Sequence, residues 1–135
     1  MSFVVMDELS VEIEDRPGAL STALAVVAKA GVGVHAFCGY SMSGAGNVML
    51  VPDHASKAKA ALKTAGYKAI TAGKVVVGKT RDKRGAGAAI TSMAQDKGFN
   101  LEYCYAPGTG KGTGVIVLNA GKNNAKLAKF LTAAV

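Results

Sequence analysis

Asp15-Arg16-Pro17-Gly18-Ala19-Leu20 is the segment of this 135-residue chain whose residue types and spacing best suit the holding of a small ligand. Proline fixes one backbone angle, and the glycine after it lets the main chain approach a bound molecule closely. Leu20, Ala23, Leu24, Val27 and Ala28 follow at helical spacing, so the segment opens a helix. Unpaired N–H groups and the positive end of the helix dipole favour a carboxylate or another anion there. The spacing predicts Pro17 at the first helical position, with Asp15 as cap. Further along, Asp82-Lys83-Arg84-Gly85 repeats the pattern, with Arg84 where the proline would stand.

Other chemistry-bearing residues do not form a catalytic set. His35 and Cys38 lie three apart on an expected strand, hence on opposite faces. His54 falls at an expected helix start, where capping explains it. Glu12 and Glu14 share a face that alternates with Val11 and Ile13, which makes it the solvated one. The loop from Pro107 to Gly114 is glycine-rich but lacks the Gly-Lys-Ser/Thr ending of a phosphate loop and opens no helix, so it reads as a β-hairpin. Cys38 and Cys104 have no metal-ligand spacing and are expected to be reduced, packed thiols. No catalytic residue, metal or cofactor is expected, and the chain is not expected to be an enzyme.

The elements that must position these residues occur twice. Sliding the chain by 67 residues brings Asp15–Ala19 onto Asp82–Ala86, Gly31 onto Gly98, Val48–Val51 onto Val115–Leu118 and Ala58-Lys59 onto Ala125-Lys126. In the first copy the pattern predicts a strand at 9–14, a helix ending at Gly31, a strand at 32–40, a hairpin to a strand at 48–51, a helix at 55–65 and a strand at 67–70. The second copy predicts strands at 75–79, 99–106 and 115–118, and helices at 86–97 and 124–132. Its fourth strand is nearly absent, and Phe3 to Met6 is the segment available to supply it. The fold class is therefore α+β: two tandem ferredoxin-like βαββαβ units, at residues 1–72 and 73–135, with antiparallel sheets and helices on one face.

Val11 to Leu20, followed by a helix and Ala30-Gly31-Val32-Gly33-Val34, resembles the opening half of an ACT domain, a small regulatory amino-acid-binding module. Gly98-Phe99-Asn100-Leu101-Glu102-Tyr103 is similar to the corresponding segment of stand-alone tandem ACT proteins. The resemblance covers roughly residues 9–70 and 75–132. It implies an amino acid held between modules, by this loop on one side and by second-strand residues, often an asparagine, on the other. The first copy keeps the loop but has Gly33 in the asparagine's place, whereas the second keeps Asn100 and has lost the proline. The implied ligand-binding residues are thus Asp15, Arg16, Pro17, Gly18, Ala19 and Leu20 with Asn100 and Leu101. Asp82, Lys83, Arg84 and Gly85 form a second, degenerate loop. A sensor or regulatory role follows, with an amino acid or related small metabolite as ligand, a homo-oligomeric state, and an unidentified enzyme or regulator reading the change.

Charge bears on the alternatives. The net charge is +7, divided as about −1 over residues 1–67 and about +8 over 68–135. A basic second half, with Tyr103 and Tyr105 alternating onto one strand face, offers an alternative: a nucleic-acid or phosphate-ligand binding module. The basic-glycine-aromatic pattern of RNA-recognition motifs is missing, so nucleic acid is not the expected partner. Ala23 to Val34, the longest apolar region, is broken by Lys29 and Gly31 and falls short of the roughly 18 residues that span a bilayer. No membrane partner is expected. The first residues lack a basic segment before an apolar one, so a cytoplasmic location is expected.

Overall fold

Alternation and helical spacing become eleven elements in the computed structural model, which describes residues 2–106 and 112–135. In chain order these are β1 (Phe3–Ile13), α1 (Ala19–Lys29), β2 (Val34–Met42), β3 (Ala45–Pro52), α2 (Ala55–Thr64), β4 (Ile70–Arg81), α3 (Ala86–Asp96), β5 (Tyr103–Tyr105), β6 (Thr113–Asn119), a single 3-10 turn (Gly121–Asn123) and α4 (Asn124–Ala134). Contacts gather Asp7–Gly73 into a first unit, and Lys74–Val135 with the residues up to Met6 into a second. Both are ferredoxin-like.

In the first unit the strand order is β2-β3-β1-β4. Antiparallel pairing sets Leu9 opposite Leu50 and Val11 opposite Val48, and Phe37 and Gly39 of β2 lie opposite the same two β3 residues. Directly opposed residues share a face, so Leu9, Val11, Val48 and Leu50 form one apolar surface. Val27 of α1 with Ala58 and Leu62 of α2 covers it, and all seven side chains are buried. The helices therefore lie on one face of the sheet.

The second unit has the order β1-β4-β6-β5. Val76 opposes Leu118, and Ile90, Ala94, Leu127 and Leu131 pack over them. Phe3 completes this core. It is 4% exposed, and both its N–H and its C=O bond the Thr132 hydroxyl on α4, at 2.9 and 3.1 Å. The fourth strand of this unit thus comes from the start of β1.

Three details of the elements differ from the sequence pattern. The strand expected at 67–70 is not formed over residues 67–69; extended pairing starts at Ile70 and runs without a break through the strand expected at 75–79, so that a single strand, β4, stands where two were expected. The strand expected at 99–106 shrinks to Tyr103–Tyr105. Gly98, at φ +76, ends α3 with its N–H on the Gln95 carbonyl, and the Phe99 N–H bonds back to Ala94, so residue 99 still belongs to the helix terminus. The repeat also drifts. The offset of 67 holds from Gly18 and Gly85 through Gly31 and Gly98, becomes 68 where Leu50 and Leu118 take equivalent core places, and 69 where Ala58 and Leu62 match Leu127 and Leu131. Matching Ala58 to Ala125 by identity alone selects the wrong helix face, since Ala125 is exposed.

Candidate functional site

The segment Arg16-Pro17-Gly18-Ala19 folds as a β-turn. The Ala19 N–H bonds the Arg16 carbonyl at 3.2 Å, and Gly18 sits at φ +86, ψ −12. These angles are close to the third position of a type II turn, which requires a positive φ and accepts proline just before it. Pro17 is therefore a turn residue, and α1 begins at Ala19, two residues later than the sequence pattern predicts. Gly18 occupies the cap position with no side-chain cap, and Asp15 is not the cap. The Asp15 carboxylate instead accepts a 2.8 Å hydrogen bond from the Ser41 hydroxyl at the end of β2. The Arg16 guanidinium pairs with Glu14. Both the N–H and the hydroxyl of Thr22 bond the Gly18 carbonyl at 2.9 Å, so the next free donors at the helix mouth are the amides of Leu20 and Ser21, which have no main-chain acceptor among the described residues.

Beside this turn lies a cleft of about 680 Å³ within the first unit. The end of β1 (Glu12, Ile13, Glu14), the turn (Asp15, Arg16), the first helical turn (Ala19, Thr22), the hairpin tip (Gly44, Ala45) and residues 65–69 after α2 line it. Its wall depends on a close approach at Gly46, where a Cβ would stand 2.9 Å from the Ile13 carbonyl oxygen and 3.0 Å from that of Glu14. Of the residues implied by the resemblance, Asp15, Arg16 and Ala19 line the cleft. Pro17 and Gly18 shape the turn that borders it. Leu20 packs against β2, its Cδ2 2.9 Å from where a Cβ on Gly39 would be. Asn100 and Leu101 belong to the second unit, between α3 and β5; Asn100 is exposed and Leu101 packs against that unit's core.

Glu12, Glu14, Thr22 and Lys68 are cleft residues that the sequence pattern leaves out. Alternation assigns the two glutamates to a solvated face, which is correct, but that face ends at the cleft. Lys68 carried no signal beyond its place two residues after the helix-ending Gly66.

Gly33 stands where the resemblance implies an asparagine, and its surroundings explain it. Its N–H donates to the Asp53 carboxylate at 3.1 Å, its carbonyl accepts from the Asp53 N–H at 2.9 Å, and a Cβ would meet Asp53 Oδ2 at 2.7 Å. His54 caps α2, with Nδ1 accepting from the Lys57 N–H at 3.4 Å.

The second loop has the same backbone. The Ala86 N–H bonds the Lys83 carbonyl at 3.1 Å, and Gly85 lies at φ +86, ψ −3. Arg84 replaces proline without altering the turn, because only the glycine position demands a positive φ. Tyr103 and Tyr105 do share a strand face, their rings 6.4 Å apart and within 13° of parallel. Cys38 is half-buried and Cys104 exposed, so the second thiol is not packed as the sequence pattern predicts; both are free. Of the glycine-rich stretch, residues 107–111 lie outside the described residues. Among the described residues, no three His, Cys, Asp or Glu side chains gather as metal ligands would. No helix among the described residues is long and apolar enough to cross a membrane.

No family model and no curated protein matches the chain. Solved structures do. The chain is similar to protein BT0572 from Bacteroides thetaiotaomicron, with a TM-score of 0.82 at 23% identity over 98% of this chain and 90% of that one. It is similar to the regulatory subunit of aspartate kinase from Thermus thermophilus in its ligand-free form, with a TM-score of 0.72 at 14% identity over 99% and 97%. Aspartokinase alpha and beta subunits give 0.69 at 16% identity over 99% and 97%. Identities this low speak for the fold alone.

Proposed function

We propose that the chain is a tandem ACT regulatory module that binds an α-amino acid or a closely related small metabolite at the Asp15–Leu20 loop, and performs no catalysis of its own. The observation that carries this reading is the cleft beside the Gly18 turn, where groups of both signs adjoin a wall of small side chains. A zwitterion needs that combination. The likeness to regulatory subunits of aspartate kinase supports a regulatory role. In this reading Asn100 and Leu101 complete the site from a neighbouring module, and binding biases module packing or self-association, which a partner enzyme or regulator senses. Self-association is supported by β2, an edge strand carrying exposed Phe37, Tyr40 and Met42.

Thermal melting with each standard amino acid, followed by calorimetric titration of the best, tests the reading. A ligand that binds the folded form raises the midpoint. Gly18→Asp is expected to abolish binding, since it adds a negative charge at the helix mouth, whereas Gly18→Asn keeps the turn and retains most of it. Undiminished binding by Gly18→Asp places the ligand elsewhere. Asn100→Ala weakens binding if the asparagine completes the site.

A second reading concerns the Gly85 turn, which has the same type of backbone and carries Arg81, Lys83 and Arg84 where the first loop has Glu14, Arg16 and Pro17. That loop suits a phosphate or an acidic ligand. Phosphate titration of the native chain and of Lys83→Gln, with random RNA as comparison at two salt concentrations, separates small-anion binding from polyanion binding.

A further inference from the structure

We infer that the cleft of the first unit selects α-amino acids with an uncharged side chain, Glu12 meeting the ligand's ammonium and Lys68 its carboxylate. The inference rests on the reading above and adds which charges do the work and which ligands they exclude. Five charged side chains line the cleft: Glu12, Glu14, Asp15, Arg16 and Lys68. Three of them are already engaged. Glu14 and Arg16 pair with each other, and Asp15 accepts from Ser41. Glu12 and Lys68 form no ion pair and no side-chain hydrogen bond among the described residues.

The backbone sets these two residues on neighbouring stretches of chain, and both line the cleft. The Glu12 N–H bonds the Ala69 carbonyl at 3.0 Å, so Glu12 stands across from the residue next to Lys68. Opposite charges set on neighbouring chains without pairing leave one anion and one cation available in the same cavity. An α-amino acid presents one ammonium and one carboxylate on adjacent atoms, and each charge-assisted hydrogen bond to it is stronger than a neutral one. Once both are used, no unpaired charge remains in the cleft to meet a charged ligand side chain. What remains is uncharged: glycines and alanines, with Ile13, Thr22 and Tyr67. A third ligand charge finds no opposite charge there, and any desolvation it suffers on binding goes uncompensated.

The test is a titration cycle on the full chain. Amino acids with neutral side chains (alanine, serine, threonine, leucine) are compared with lysine, arginine, aspartate and glutamate; the best ligand is also used as its N-acetyl and methyl-ester forms. Native protein, Glu12→Gln and Lys68→Gln are titrated with each. Both side chains are exposed, so the variants are expected to fold, and unchanged circular dichroism melts confirm it. The expected result is neutral ligands ahead of charged ones, and a loss of about tenfold in affinity with either variant. The N-acetyl form, lacking the ammonium, is then indifferent to Glu12→Gln, and the ester, lacking the carboxylate charge, is indifferent to Lys68→Gln. Binding that is unchanged in both variants, or strongest for a charged side chain, overturns this assignment while leaving amino-acid binding intact. Absence of binding by every amino acid to the native chain overturns the underlying reading as well.

Discussion

The turns at Gly18 and Gly85 have the same φ of 86°, the same hydrogen bond closing the turn, and helices of the same length behind them. Their surroundings differ. The first is flanked by the Glu14–Arg16 ion pair and by Asp15 bonded to Ser41, and it borders the cleft; the second presents Lys83 and Arg84 to solvent. Backbone shape here follows from one glycine and one hydrogen bond, whereas binding chemistry follows from the side chains around them. The cores of the two units make the same point. At the place where the first unit buries Val11, the second has Gly78, and a Cβ there would overlap the ring of Phe3. One core carries its bulk on its own strand, and the other borrows it from the start of the chain.

The largest effect is expected from undoing that exchange. Phe3→Ala should cost about 3–5 kcal/mol, the usual range for truncating a buried phenylalanine. Gly78→Val, which gives the second unit the first unit's residue, should cost about as much, because the new side chain expels the ring. In the double variant the valine fills the space that the ring has left, so the two costs should fall well short of adding. Urea unfolding midpoints of the three variants measure this. Additive losses would mean that Phe3 and Gly78 do not share one space.

A smaller effect separates the second helices. α2 starts under the exposed His54 cap, whereas Asn124, 5% exposed at the start of α4, accepts from the Ala120 N–H at 2.7 Å and donates to the Lys74 carbonyl at 3.0 Å and to Asn119 Oδ1 at 3.2 Å. Asn124→Leu removes these partners and leaves the Ala120 N–H and the Lys74 carbonyl without theirs, at a cost of about 2–3 kcal/mol. His54→Ala should cost less than half as much, since water replaces an exposed cap. Equal losses at the two sites would show that burial of Asn124 is not what gives its network weight.

How much of this was legible in the sequence depended on whether the signal was local. Period-2 alternation in β1 and the helical spacing after Gly18 and Gly85 depend on near neighbours, and they read correctly into strands and helices. The turn was visible in Pro17-Gly18, but its exact type was not: proline suits the first helical position and the second turn position equally, and the Ala19-to-Arg16 hydrogen bond decides between them. Asp15 looked like a cap because nothing in the sequence placed Ser41, 26 residues on, beside it. Lys68 and Glu12 become cleft residues only through the pairing of β1 with the start of β4. The drift of the repeat from 67 to 69 was hidden by alanine, which matches alanine on either face of a helix.

The smallest effect discriminates the two loops most cleanly. A Cβ at Gly18 or at Gly85 meets no atom within 4 Å, so Gly→Ala at either position is opposed by backbone conformation alone. With φ at +86° in both, each substitution should cost about 1 kcal/mol, and the two should agree within a few tenths. Their effects on ligand should not agree. A strained turn at residue 18 moves the wall of the cleft and the amides behind it, so Gly18→Ala weakens amino-acid binding, whereas Gly85→Ala leaves it at the native value. Matched losses of stability with unequal losses of binding are the signature of one backbone used for two purposes. If both substitutions weaken binding equally, the second loop takes part in the same site, and the contrast between the loops dissolves.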